Sequence, residues 1–400
     1  MEHLFPPLTA EIRRYVDAIP ALVDTVFPIP KRFRSGLSRD VAELSRLLTS
    51  AQGERNESYL GTRPLLSAYL RYFLPWNIYR LARLLPSLSL PLSANASNGH
   101  AASITDLGSG PLTLPIALWI SRPDLRGVPL EFHCLDRTGA ALDAGKSLFA
   151  ALVYKDISTA CPWTIKTIKA SLGEPIRFPK ADLVTAVNLF NELFRKLPRT
   201  GSLSAFTEKQ THLLSSLALD SGSILVLEPG VPRCGEFISL LRTAFTAKGR
   251  LPLSPCPHGG PCPMPGSSKW CHFAFDTADA PAGLHRLSEA AGIPKERAVL
   301  SFLLAGPAVP AAAPGVPAAS AAPKDALPVR LISDAFPLTG EGKRPAPTSL
   351  HGRYGCSARG LVLVTGKRGE VEGLESGALE TFEAGSRRDG KSGALVLELR

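Results

Sequence analysis

The feature that most constrains this chain is a change of texture near Ile104, where short apolar runs of strand character begin to alternate with helical ones. Strands are predicted over 103–106, 130–135, 164–170, 182–187 and 223–227, and helices over 114–120, 140–153, 189–194 and 208–217. A strand followed by a helix long enough to span the sheet crosses over and returns in parallel, whereas a hairpin needs only a tight turn. The alternation therefore specifies an α/β sheet of mostly parallel strands with helices on its faces.

The flanks read differently. Residues 8–90 show helices broken by prolines, over 8–19, 38–48, 64–72 and 78–85, and Leu66, Leu70, Phe73 and Leu74 recur at the spacing of a buried helix face. Arg71, Trp76, Tyr79, Arg80 and Arg83 interleave arginines with aromatics, which can stack on bases and pair with phosphates. The competing reading turns the aromatics inward and leaves the arginines solvated. The polar stretch 93–100 reads as a linker. Further on, a helix over 282–291 and a strand over 299–304 precede an Ala/Pro-rich stretch, expected to be extended and solvated. Strands over 329–332 and 360–364 follow, then a basic tail read as a short β extension or a mobile arm. The expected organisation is a helical domain over 1–95 and an α/β domain over 96–304 that includes a cysteine loop at 254–273. An insertion over 305–326, returning strands of the α/β domain with a further cysteine over 327–366, and a basic extension over 367–400 complete it.

Composition bounds the function class. Four hundred residues at 44% hydrophobic content allow a large core and two or three structural units. No apolar run approaches the roughly 18 residues of a bilayer span, so no membrane partner is expected. The amino terminus carries Glu2 and Glu11 and no apolar core, unlike a signal peptide or a mitochondrial presequence, so a cytoplasmic location is expected. Seven cysteines then read as reduced thiols or metal ligands rather than a disulfide framework. The net charge of +10 is spread along the chain and suits a polyanion, nucleic acid first, unless it reflects a general basic bias of the source.

Asp106-Leu107-Gly108-Ser109-Gly110-Pro111-Leu112-Thr113 falls between a strand and a helix, where backbone amides can receive an anionic group. Asp136 ends the next strand, where a carboxylate can accept both hydroxyls of a ribose. A dinucleotide-binding fold of the NAD type competes, but this loop begins with an acidic residue and has two of that fingerprint's three glycines. The arrangement resembles the class I methyltransferases that use S-adenosylmethionine. The resemblance implies a Rossmann-like sheet, with Asp106, Gly108 and Gly110 in the first motif and Asp136 as ribose ligand. It also makes 182–193, with Asn188, Asn191 and Glu192, the fourth-strand motif bordering the methyl group. Leu112 stands where relatives often carry another glycine, a departure that bears on cofactor affinity rather than fold. No catalytic residue emerges: the Asn/Asp-Pro-Pro-aromatic tetrapeptide of amine methylation is absent, as is a cysteine nucleophile beside the fourth strand. Cys134 and Cys161 read as structural, and Asn191 and Glu192 as substrate contacts or as capping and solvent-facing residues.

Cys256, Cys262 and Cys271 lie in a stretch punctuated by proline and glycine, which cannot form a helix but can aim sulfurs at one point. Five residues separate the first pair and eight the second, wider than the usual zinc knuckle. Pro257 and Pro263 directly follow two of the cysteines, as is common among iron–sulfur ligands. Zinc held by three cysteines and His258 or His272 is the alternative; the C-x₃-C-x₂-C run of a radical-generating cluster is absent.

The loop Pro255-Cys256-Pro257-His258, with Cys262-Pro263 and Trp270-Cys271-His272-Phe273, follows the strand-like 224–230 of a methyltransferase-type sheet. That combination resembles the family of mitochondrial small-ribosomal-subunit proteins and assembly factors that includes methyltransferase-like protein seventeen and its bacterial relatives. The likeness runs from near Pro64 to about Val364, and the cysteine loop is its most specific part. The family implies a 4Fe–4S cluster on four cysteines, the last from a late strand that maps to 353–356 and supplies Cys356. The intervening insertion departs from a compact hairpin, yet loop-closure cost grows slowly with length.

The expected function is an assembly or maturation factor that binds small-subunit ribosomal RNA and the assembling subunit, and is monomeric off the ribosome. Lys269, Trp270 and Arg353 would present charge and an aromatic face to the RNA. An active S-adenosylmethionine-dependent rRNA methyltransferase is the alternative, and a zinc-stabilised small-molecule methyltransferase the third reading.

Overall fold

A computed structural model describes residues 2–49, 59–95, 101–154, 161–174, 178–194, 203–308, 326–338 and 350–399. The first strand, β1 (Glu2–His3), belongs to a sheet otherwise built from the far end of the chain. The main sheet comprises β2 (Ala102–Leu107), β3 (Leu130–Asp136), β4 (Trp163–Lys169), β5 (Ala181–Val187), β6 (Ala218–Pro229), β7 (Arg250–Ser254), β8 (Phe273–Asp276) and β9 (Arg297–Ala308). Its order is β4-β3-β2-β5-β6-β9-β7, with β8 also paired to β9. The pairs β2–β3, β3–β4, β2–β5 and β5–β6 are parallel, while β9 runs antiparallel to β6. The chain winds outward from β2 to β4, then returns to place β5 on the other side of β2. The carboxyl ends of β2, β3 and β5 therefore surround a topological switch point, where such sheets bind ligands.

Alternation along the strands decides which face each residue covers. In β6, Leu225 and Leu227 join the core under the N-terminal helices, while Ile224 and Val226 join a core with Phe190, Phe194, Phe237 and Phe245. The helix Thr113–Ser121 is buried along its whole length, so it is apolar all round rather than amphipathic. The helix Pro232–Ala247, which the sequence reading does not foresee, packs on the second face beside Leu203–Leu217.

The expected N-terminal helices are present as Ala10–Val26, Leu37–Thr49, Arg63–Ala68 and Leu74–Leu84. Trp76, Tyr79 and Tyr72 are fully buried, as the inward-facing reading requires. The arginines depart from it, because they are not solvated. Arg71 is buried and donates to Asp24 and Ser67, Arg80 donates to Asn77 and to the Val299 carbonyl, and Arg83 donates to Asp279 and to the Phe5 carbonyl. Ser67 and Asn77 are one helical turn away, but Val299, Asp279 and Phe5 lie in distant segments, so Arg80 and Arg83 fasten the helical region to the sheet and to the chain start, while Arg71 ties its helix to Asp24.

The late strands also depart from expectation. β10 (Ala326–Leu331), β11 (Phe336–Pro337), β12 (Leu350–Ser357), β13 (Gly360–Lys367), β14 (Ala378–Glu383) and β15 (Leu395–Glu398) do not complete the main sheet. They form a second sheet in the order β1-β14-β10-β12-β13-β15, with β11 on β12 and its own core of Val329, Leu331, Val362, Val364 and Leu397. The span read as a basic extension thus supplies two strands, β14 and β15. Of the expected insertion, 305–308 continue β9 and Ala326 opens β10, and the rest lies outside the described residues. Among the described residues no helix is long and apolar enough to cross a membrane.

Candidate functional site

The switch point holds a cavity of about 290 Å³ whose lining includes Gly108, Gly110, Asp136 and Asn188, four of the five residues expected to bind a cofactor. Gly108 and Gly110 take left-handed backbone conformations, with φ of 69° and 51°. A Cβ on Gly108 would sit 2.8 Å from Leu189 Cδ1, so a side chain there would fill the cradle. Asp136 accepts the Gly110 N–H at 2.9 Å through one oxygen and the Thr138 N–H at 2.8 Å through the other, which locks the glycine loop to the end of β3. Burial raises the Asp136 carboxyl, and those two N–H groups oppose the rise. Asn188 is left-handed at φ 55°, and its buried Oδ1 has no hydrogen-bond partner among the described residues. Leu112, the departure from the glycine pattern, is itself left-handed at φ 55° and fully buried, so the fold keeps the glycine conformation with a leucine in it. Tyr69 and Leu60 bring the N-terminal region to the same cavity.

Asp106, the fifth expected residue, does not line the cavity. It is buried between strands and accepts Thr185 Oγ1 at 2.7 Å, and burial pushes its carboxyl up to about 6. Glu228, at the end of β6, was not singled out by the sequence reading. Its two oxygens accept the N–H groups of Phe190 and Asn191 at 2.7 and 3.0 Å, capping the helix Phe190–Phe194 that borders the cavity. Its only sequence signal is an acidic residue closing an apolar strand. Burial pushes this carboxyl from 4.5 up to about 8, against the pull of the two N–H groups. A raised folded-state value means that stability is present below 4.5 and is lost as pH rises through about 8. Between pH 6 and 8, urea unfolding should show stability falling by up to about 1.4 kcal/mol per unit, and Glu228→Gln should flatten that slope. An unchanged slope in the variant would assign the pH dependence elsewhere.

The four cysteines meet at a second place. Cys256, Cys262, Cys271 and Cys356 all line one small cavity between the helix Pro232–Ala247 and the two sheets, together with His258, Met264 and Arg242. Cys356 arrives on β12, whereas the other three come from the loop after β7. Arg242, buried on the helix, donates to Cys256 Sγ at 3.1 Å and to the carbonyls of His258 and Gly260 at 3.0 and 2.6 Å. Arg330, also buried, donates to the Pro255 carbonyl at 3.1 Å and ties the loop to Glu2 and Gly377. His258 Nε2 lies 3.4 Å from Cys356 Sγ, and its ring value is lowered to about 4 by burial and by Arg242. Burial raises the thiols of Cys256, Cys271 and Cys356, and for Cys271 and Cys356 the neighbouring thiols raise them further. Among the described residues no three His, Cys, Asp or Glu side chains are drawn together as an ion-holding group. The donor chemistry nonetheless fits a thiolate-bound group, with four sulfurs, a guanidinium to offset their charge and no carboxylate in the lining. None of the seven cysteines is joined in a disulfide; Cys134 is buried in β3 and Cys161 half-buried just before β4.

Residues 94–324, more than half of the chain, match the family model described as mitochondrial small ribosomal subunit Rsm22. The chain belongs to the Rsm22 family. The Rsm22 match covers the sheet-borne part of the cavity at the switch point, though not Leu60 and Tyr69, and three of the four cysteines, and ends before Cys356. No curated protein matches the chain. Among solved structures, a SAM-dependent methyltransferase from Thiobacillus denitrificans with S-adenosyl-L-homocysteine is 12% identical, covering 69% of this chain and 98% of that one at a TM-score of 0.32. A SAM-dependent methyltransferase from Geobacter sulfurreducens, also with S-adenosyl-L-homocysteine, is 14% identical, covering 52% and 84% at a TM-score of 0.29.

Arg353 does not take the RNA-facing position expected of it. It is buried and donates to the Ser333 carbonyl at 2.8 Å. Lys269 and Trp270 remain partly exposed beside the cysteine cavity.

Proposed function

We propose that this Rsm22-family protein is an assembly or maturation factor that binds small-subunit ribosomal RNA, with a methyltransferase-type domain and a structural 4Fe–4S cluster on Cys256, Cys262, Cys271 and Cys356. The observation that carries the reading is the convergence of four cysteines, from a loop and from a separate sheet, on one cavity that Arg242 also lines. The family's printed description supports the ribosomal partner. A net charge of +10 suits a polyanion. A cluster at this place would supply a rigid link between loop and second sheet rather than a reacting group. Arg242 holds Cys256 and two loop carbonyls in position, and Arg330 fixes the loop's start. Zinc on three of the cysteines and His258 is the alternative occupant.

The cavity at the switch point supports a second reading, an active rRNA methyltransferase. Asp136 would accept the ribose hydroxyls of S-adenosylmethionine, and Gly108, Gly110 and Asn188 would border the rest of it. The cofactor supplies an electrophilic methyl group, and the rate would come from proximity and orientation. The protein is placed in the cytoplasm in this proposal, monomeric when off the ribosome.

Anaerobically reconstituted protein should carry iron and sulfide in about equal amounts and co-sediment with small subunits, and Cys256→Ser should lose both properties. Absence of iron and sulfide, or a Cys256→Ser variant that binds ribosomal RNA as well as the parent, would defeat the first reading. Calorimetric titration with S-adenosylmethionine separates the second: no detectable binding removes it.

A further inference from the structure

Between the cysteine loop and the second sheet lies another concavity, of about 210 Å³, lined by Lys269, Trp270, His272, Ile332, Phe336 and Tyr354 among others. Two aromatic pairs form its walls. Trp270 stacks on His272 with centroids 4.7 Å apart and planes 20° apart, and Phe336 stacks on Tyr354 at 5.1 Å and 27°. Lys269 Nζ sits 4.8 Å over the Tyr354 ring. Among the described residues no carboxylate is in its lining; Asp334, whose charge reaches His272, is paired with Arg297.

The rings are fixed before any ligand arrives. Trp270 Nε1 donates to the Gly230 carbonyl at 3.0 Å, and a Cβ on Gly235 would meet the indole at 2.6 Å, so the helix Pro232–Ala247 holds the ring edge. The Ser333 N–H donates to the His272 carbonyl at 3.0 Å, which joins the loop to the chain after β10. Successive residues of β12 alternate in direction, which turns Tyr354 to the groove while Arg353 is buried. Such prior ordering lowers the entropy lost on binding. The volume falls below the roughly 300–1,000 Å³ of a pocket for a whole drug-sized ligand, so it suits one planar ring.

We infer that this groove receives a single unpaired nucleobase of an RNA strand, stacked on the aromatic pairs, with Lys269 beside the strand's phosphate. The inference rests on the ribosomal-RNA reading above and names the part of the RNA recognised, an unpaired base rather than a duplex. Aromatic stacking with a neighbouring cation is the chemistry of single-strand binding, tolerant of sequence because every base has a π-face. An aromatic or proline-rich peptide would fit the rings but brings no phosphate to the cation.

The test is anisotropy of labelled oligoadenylate and oligouridine, against a blunt RNA duplex, with the full chain. The single strands should bind more tightly than the duplex, and Tyr354→Leu should weaken them about tenfold while Tyr354→Phe does not. Lys269→Gln should weaken them and reduce the slope of log affinity against log salt by about 0.7. Trp76, Trp119 and Trp163 are 2%, 1% and 6% exposed, so quenching of tryptophan emission on binding should come from Trp270 and vanish in Trp270→Phe, with affinity largely kept. If Tyr354→Leu fails to fold, the salt slope and the quench still decide. Equal binding by all folded variants, equal binding of duplex, or capture of an aromatic peptide with no oligonucleotide binding would overturn the inference. Co-sedimentation of the parent with small subunits is scored separately. Its failure with oligonucleotide binding intact overturns the ribosomal reading and leaves the groove.

Discussion

Cys356→Ser is expected to abolish iron retention and to lower the unfolding temperature by about 5 °C. Cys356 is the one ligand in the proposed set that comes from the second sheet, on β12, so its loss cuts the link between that sheet and the loop. Structural metal sites of small domains contribute on the order of 10 kcal/mol to folding. Here other contacts join the same parts, including the Arg330 bond to Pro255 and the Ala274 N–H donated to Ser376 at 3.1 Å, so a loss of several kcal/mol is the expectation. At roughly 1 °C per kcal/mol for a chain of 400 residues, that gives the shift above. Serine cannot replace a soft thiolate toward iron, although it keeps the shape of the side chain. Cys134→Ser is the control, because Cys134 is buried in β3 away from the loop. It should cost stability by burying a hydroxyl and leave the iron content unchanged. A Cys356→Ser protein with the parent's iron and sulfide would remove Cys356 from the ligand set.

The main sheet was legible because its signals are local. Each strand and crossover helix announces itself by period, and the glycines of 108–110 stand where a turn between strand and helix must be tight. Distance in sequence hid the second sheet. Glu2–His3 pairs with Ala378–Leu379, and β15 joins β13 in parallel, so no short window contains both partners of either contact. The arginines of 71–83 show the same limit. Their type says that burial is costly, but whether they face solvent was decided by Asp24, Asp279 and main-chain carbonyls far along the chain. Gly108, Gly110, Asp136 and Asn188 line one cavity, because all four end or follow strands that meet at the switch point. Glu228 escaped notice because its task depends on the start of a five-residue helix from the neighbouring strand's end.

Gly145→Val should destabilise the protein and, on the proposed methyltransferase reading of the cavity, weaken binding of S-adenosylhomocysteine at least tenfold. Gly145 lies on the helix Gly139–Tyr154, where a Cβ would come within 2.4 Å of the Pro111 carbonyl carbon and 2.6 Å of Leu112 Cγ. The nearest obstacle is backbone, which cannot swing aside as a flexible side chain can. Overpacking typically costs about 1–3 kcal/mol, and a backbone obstacle puts this case at the upper end or above it. The displaced segment starts next to Gly110, whose N–H bonds Asp136, and includes Leu112, already held in a left-handed conformation. Strain introduced by the helix therefore reaches the loop and the carboxylate together, without touching a residue that lines the cavity. Gly127→Ala supplies the comparison, since nothing lies within 4 Å of a Cβ there. Thermal unfolding and calorimetric titration with S-adenosylhomocysteine should move together in Gly145→Val and stay still in Gly127→Ala. Unchanged affinity in a clearly destabilised Gly145→Val would mean that the glycine loop tolerates the push and that the cavity does not depend on the packing of this helix.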